Sequence, residues 1–263
     1  MRTALFGMPG VVLLVALAGG GCQARGPEAH QLAAGYTALE QKQYDQAIGV
    51  ADTYLKGEPN GPDAAAAHYL RGRGIYGRVK ADPAHAAADM QEARNCYARS
   101  LALNPAPALQ GLVYADLANL AYQQEQYRQA EEQWTRSYGL LEQEEVRGVV
   151  LYQIARCRQR QSKWKEADEA LAMVQQRFPD SELAKAAHDK QGYRDFWVQV
   201  AAYGKPSDAD IALAALRAKG LTGIRKPSNG AHAVLVGPRP TYESAKALRN
   251  QLAGTYRDAF IRP

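Results

Sequence analysis

Cysteine and histidine are scarce in this chain. Three cysteines (Cys22, Cys96, Cys157) and five histidines (His30, His68, His85, His188, His232) are scattered through 263 residues without paired ligand spacing, so no zinc-type site is expected. No nucleophile elbow, phosphate-binding glycine loop or zinc-helix motif occurs. The adjacent acids Glu131–Glu132 and Glu144–Glu145 fall on helical stretches where a solvated face accounts for them better than an acid/base pair. These absences argue against an enzyme, and neither a cofactor nor a metal ion is expected. An excess of either charge is also missing over most of the length. Residues 1–194 are balanced, with 22 basic and 22 acidic side chains, whereas residues 195–263 hold ten basic and five acidic ones. The whole net charge of +5 lies in that last stretch, and a basic face of this kind suits an anionic partner.

The N-terminus sets the compartment. Arg2 is followed by a largely apolar run, Ala4 to Ala18, interrupted by Gly7, Pro9 and Gly10. That run is too short for a membrane span and reads as a secretion signal. The sequence LAGGGC ending at Cys22 resembles a bacterial lipobox, which makes residues 1–22 a lipoprotein signal and Cys22 the lipidated residue, although Gly19 stands where a branched aliphatic is usual. Ordinary signal cleavage, or an uncleaved anchor, is the alternative. Acyl chains contribute ~0.8 kcal/mol per buried methylene, so several would hold the protein on a membrane. Gln23 after the cysteine, by the same resemblance, favours the periplasmic side of the outer membrane. Cys96 and Cys157 lie on apolar helix faces as small buried hydrophobes; a disulfide is allowed in an oxidising compartment, but spacing does not decide it.

Residues 23–30 are small and polar and read as a tether. Helical signals then recur from 31 to 193. Tyr127-x-x-Ala130 and Trp164-x-x-Ala167 are each preceded, nine positions before the aromatic, by a small residue, Ala118 and Ala155. Gly35, Tyr44 and Ala47 repeat the pattern, as do Gly72, Ala93 and Tyr97 with extra residues between, and Ala93, Ala130 and Ala167 are each 37 apart. Small residues let paired helices approach while the aromatic fills the groove. This spacing resembles the tetratricopeptide repeat. Four units are expected, at 28–61, 64–105, 108–143 and 147–179, with Ser181 to Tyr193 as a closing helix capped by Ser181. Such arrays commonly hold a peptide or protein on a concave face; a spacer or oligomerisation surface is the other reading. The protein partner is not identified by sequence.

The last stretch, 195–263, reads as βαββαβ. Strands are expected at Phe196 to Tyr203, Leu221 to Lys226, His232 to Gly237 and Asp258 to Ile261. One helix opens at Pro206-Ser207, with Ser207 as its cap; the other is capped by Thr241; and Pro227 to Gly230 forms a turn. Val198, Val200, Ala209, Leu216 and Ile224 recur 36 residues later as Val234, Val236, Ala245, Leu252 and Phe260. Two such halves give a four-stranded antiparallel sheet with two helices on one face. The expected fold is thus an α-helical solenoid followed by a small α+β domain. The valines need to face the helices, which sends Trp197, Gln199, Ala201 and Tyr203 to the open face.

Val198-Gln199-Val200, Lys219-Gly220, Val234-x-Val236-Gly237-Pro238 and Tyr242-x-x-Ala245 together resemble a SPOR domain. The resemblance implies binding of peptidoglycan glycan strands stripped of their stem peptides, commonly at division sites. Stripping leaves a carboxylate on each muramic sugar, which Arg225, Lys226 and Arg239 would attract. Candidate glycan-binding residues are Gln199, whose amide both donates and accepts, Trp197, Tyr203, Arg225, Arg239 and His232. The third strand departs from the family in carrying Ala233 and Leu235 where polar or basic residues are usual. A repeat scaffold for envelope complexes with a passive terminal module is therefore the competing reading. Nucleic acid is disfavoured by the secretion signal and by the absence of aromatics in the third strand.

Overall fold

The computed structural model describes residues 28–81, 86–228 and 230–263. The signal segment, Cys22 and residues 23–27 of the tether lie outside the described residues. Packing divides the chain into two compact units, 1–153 and 154–263.

Unit 1 is built of helical hairpins: α1 (Glu28–Glu40) with α2 (Tyr44–Gly57), α3 (Ala64–Ala81) with α4 (Ala86–Ala102), and α5 (Pro107–Gln123) with α6 (Tyr127–Leu140). The first helix starts at Glu28, so the end of the stretch read as a tether is helical. Consecutive helices pack on one another, and α1 also meets α3. The small residues act as the spacing predicts. A Cβ on Gly35 would fall 2.5 Å from Leu70 Cδ2, and one on Gly72 would fall 2.6 Å from the Tyr97 ring. Ala47, Ala93, Ala118 and Ala130 are fully buried. Between α3 and α5, Arg73 stands 3.6 Å from Asp116 and over the Tyr69 ring.

Helix α7 (Glu144–Arg160) crosses the division between the units, and α8 (Trp164–Arg177) and α9 (Glu182–His188) follow it. The Ser181 side chain accepts from Ala184 N, the cap that the sequence called for. The closing helix, however, stops at His188 rather than Tyr193. Residues 189–191 continue only as tight turns, Gly192 takes φ +81°, and its N–H donates to Asp168 Oδ1 at 2.9 Å.

The turns joining α1 to α2, α5 to α6 and α7 to α8 share a geometry that sequence markers do not reveal. Lys42, Glu125 and Ser162 all adopt positive φ, near 60°. In each case the next N–H reaches back to a carbonyl five residues earlier, as in Gln43 N to Ala38 O, Gln126 N to Ala121 O and Lys163 N to Arg158 O. These are left-handed helix-ending motifs, which favour glycine. None of the three is glycine, which is why composition hid them.

The terminal module has strands β1 (Phe196–Tyr203), β2 (Gly223–Ser228), β3 (Ala231–Arg239) and β4 (Phe260–Arg262), with α10 (Pro206–Ala218) and α11 (Tyr242–Leu252). The antiparallel order is β2-β3-β1-β4. Phe196, Val198, Val200, Val234, Val236 and Ile261 bury one sheet face under Ala209, Leu213 and Leu216 of α10 and Ala245, Leu248 and Leu252 of α11. Thr241 closes a reciprocal capping box with Ser244. Ser207 does not cap α10: Pro206 takes the first helical position, where its fixed φ and missing N–H cost nothing, and the cap moves to Lys205. Pro227 and Ser228 belong to β2 rather than to a turn.

Gly72→Ala is expected to lower stability by ~1–3 kcal/mol through overpacking against Tyr97. Gly49→Ala in α2, where an added Cβ meets nothing within 4 Å, is expected to raise it by ~0.5–1 kcal/mol. Thermal or denaturant melts of the two variants distinguish packing-required glycines from merely permitted ones.

A candidate ligand surface on the helix-free sheet face

Register decides which side chains share the face that neither helix covers. Ile224 pairs with Leu235, Leu235 with Gln199, and Gln199 with Phe260, so these four form one row across the sheet. Lys226 is opposite Ala233, and Arg262 is opposite Trp197. Gln199 is half-buried, and its Oε1 accepts from Arg262 Nη1 at 2.8 Å. Trp197, also half-buried, lies over Gly237, where a Cβ would come within 3.1 Å of the indole.

Four of the six nominated residues lie elsewhere. The register of β1 on β3 slips between Gln199 and Ala201, so Ala202 comes opposite Ala233 and Tyr203 opposite His232. A one-residue slip reverses facing. It places Tyr203 on the valine side, opposite His232, which alternation with Val234 and Val236 already puts there. Arg225 is opposite Val234, on that same side, and bonds Asp210 of α10 at 3.2 Å. Arg239 sits at the end of β3 opposite Phe196 and donates to the Pro238 carbonyl.

The face is also not open at its centre. Ala233 is 0% and Leu235 4% exposed, although α10 and α11 cover the other face. The segment entering β1 meets it at Lys226. Tyr193 Oη is 3.5 Å from Lys226 Nζ, which stands 5.4 Å from the Tyr193 ring centroid; Lys190 Nζ stands 5.9 Å from that centroid. Asp168 of α8 anchors this segment through Gly192 N and through Arg194 at 2.8 Å. A closing helix through Tyr193 hides Lys190 and Tyr193 from a sequence reading. Lys226 is named for its charge from sequence, and Arg262 follows from strand alternation opposite Trp197.

The last repeat packs on the same module. Phe196, fully buried, has the Trp164 ring at 5.0 Å and the Tyr242 ring at 5.9 Å. Arg160 lies 5.0 Å over Tyr242 and donates to Ile261 O at 3.3 Å, Ser162 donates to Pro240 O, and Gln159 donates to Lys190 O at 2.6 Å. Phe196, not Trp197, is the junction aromatic.

Basic charge collects where these elements meet. Burial, and then Arg262, Arg156 and Arg160, pull the Lys190 ammonium down to about 8, with Asp189 acting in the opposite sense. Cys96 and Cys157 are buried, and neither forms a disulfide. Among the described residues no three His, Cys, Asp or Glu side chains cluster as metal ligands, and no helix is long and apolar enough to cross a membrane.

Residues 192–263 match the SPOR domain family, and residues 149–181 match the tetratricopeptide repeat. The carboxy-terminal module is a SPOR domain. It follows a tetratricopeptide-type helical array, and both are binding modules, for peptidoglycan and for protein partners respectively. No curated protein matches the chain.

Because Lys190 has a lowered affinity for its proton in the fold, the unfolded chain binds more protons between pH 8 and 10.5. Stability contributed at this position therefore rises as pH climbs through that window. Denaturant midpoints measured at pH 7.5 and pH 10 are expected to show a larger alkaline gain for the wild type than for Lys190→Gln. Equal gains would exclude Lys190 as the source.

Proposed function

We propose that the protein is a non-catalytic envelope lipoprotein. Its SPOR domain binds glycan strands stripped of stem peptides, and its helical repeats hold a protein partner, at sites of division or wall remodelling. The observation that carries the reading is the SPOR sheet's helix-free face. There Gln199 is set against Arg262, Trp197 and Lys226 share the face, and Tyr193 meets Lys226. Stripped strands present carboxylates, hydroxyls and acetamido groups. Guanidinium and ammonium groups suit the first, and a fixed amide suits the others. A chain-terminal basic excess strengthens capture of an anionic polymer. Anchoring through a lipidated Cys22 on the periplasmic side of the outer membrane is supported by the signal sequence.

The apolar, covered centre at Ala233 and Leu235 favours one competing reading. In it the repeats form an assembly scaffold, and the SPOR domain is a passive module.

The test is a pull-down on purified sacculi with the chain from residue 22 onward carrying Cys22→Ser. Amidase-treated sacculi are expected to retain more protein than untreated ones. Gln199→Ala is expected to weaken binding roughly five-fold, the scale of one hydrogen bond of net worth about 1 kcal/mol. Equal retention on treated and untreated sacculi would reject specificity for stripped strands and leave the scaffold reading standing.

A further inference from the structure

We propose that Arg156 and Arg160 of the last helical repeat, Lys190 of the connecting segment and Arg262 of β4 form an anion site that takes a carboxylate of the bound glycan. It rests on the glycan-binding reading and extends the ligand surface from the SPOR sheet onto the repeat.

Arg156 and Arg160 stand four apart on α7 and so share a face of its last turns. Two hydrogen bonds bring the other two cations to that end of the helix. Gln159 Nε2 holds the Lys190 carbonyl at 2.6 Å. Arg160 Nη2 holds the Ile261 carbonyl at 3.3 Å, next to Arg262. Arg262 Nη1 in turn bonds Gln199 Oε1 at 2.8 Å, which joins the cluster to the row of the sheet already assigned to glycan. The helix C-terminus supplies part of the compensation for this positive charge, and Asp189 supplies more. Even so, Lys190 remains depressed by burial and by its three guanidinium neighbours. A carboxylate entering there would reverse that imbalance and meet donors from two elements at once. Charge-assisted bonds of this kind are about twice as strong as neutral ones.

A stripped strand carries such carboxylates at regular intervals, and an intact stem peptide converts the nearest one into an amide. The cluster would thus be a reader of the stripped state rather than of sugar in general. Arg160 also has a structural part, through Ile261 and Tyr242, so the test leaves it in place.

The experiment compares the Cys22→Ser chain from residue 22 with the same chain carrying Arg156→Gln and Lys190→Gln together, or Arg156→Lys and Lys190→Arg together. Each is titrated against amidase-treated sacculi, against the same sacculi with carboxylates converted to amides by carbodiimide and ammonia, and in the presence of inorganic phosphate. The glutamine pair is expected to lose about tenfold in affinity, the scale of one bond to a charged group, and to show a shallower salt dependence. The charge-keeping pair should remain within about twofold of wild type, since the neutral-to-charged contrast is what distinguishes the variants. Wild type should lose a similar factor on amidated sacculi, a measurement in which the protein is unaltered.

If wild type prefers treated sacculi and the glutamine pair binds equally well, the cluster is not part of the site, while the glycan-binding reading stands. Unchanged wild-type binding to amidated sacculi overturns the carboxylate assignment. So does competition by millimolar phosphate without any effect of amidation. If wild type shows no preference for treated sacculi, the glycan reading fails first and this inference with it.

Discussion

The structure of the second unit depends on the burial of Phe196. Its ring has no exposure and is held between Trp164 of the last repeat and Tyr242 at the start of α11. Burying an aromatic side chain contributes roughly 2–3 kcal/mol, and aromatic pairs add about 0.5–1.5 kcal/mol each. Because Phe196 is the first residue of β1, a central strand of the sheet, this contact fixes the sheet to the α7–α8 turn. Arg160, Ser162 and Gln159 then find carbonyls on Ile261, Pro240 and Lys190. Polar bonds of this sort specify orientation, while the apolar contact supplies most of the affinity.

The consequence for recognition is that the sheet does not meet its ligand alone. A SPOR sheet considered by itself would present Trp197, Gln199, Ala233 and Leu235. Here the segment between α9 and β1 turns back across that face, clipped by Asp168 and ending in Tyr193 beside Lys226. The charged groups of that face stand away from its apolar centre, with Arg262 on one edge strand and Lys226 on the other. Ala233 and Leu235 are buried there, and apolar side chains suit a covered position better than the polar ones they replace.

Sequence periodicity recovered the fold almost entirely. Helical pairs, the order of strands, the facing of Val198 and Val234 and the caps at Ser181 and Thr241 all follow from residue spacing. The candidate site was less readable, for two separable reasons. Strict alternation predicts facing only while register holds, and the slip after Gln199 turned Tyr203 to the valine side, where alternation with Val234 already puts His232. Arg225 and Lys226 were grouped as neighbours in sequence, yet a strand sends neighbours to opposite faces, and Asp210 selected Arg225. The covering segment carries no periodic signal at all, since its path is set by side-chain bonds from Asp168 and by Gly192. The left-handed turns at Lys42, Glu125 and Ser162 escaped for a related reason: tertiary packing imposes the backbone that glycine would otherwise announce.

The arrangement around Ile261 has a mechanical meaning as well. If the sheet holds a polymer under tension, load can leave the module through β1 into α8 and through β4 into α7. The Trp164–Phe196 contact makes the first attachment and the Arg160 bond to Ile261 O the second. Both are attachments other than the chain itself, so extension would shear a packed surface rather than unzip a single linker. A short peptide connection thereby behaves as a broad joint, with the last repeat acting as the fixture to which the sheet is bolted.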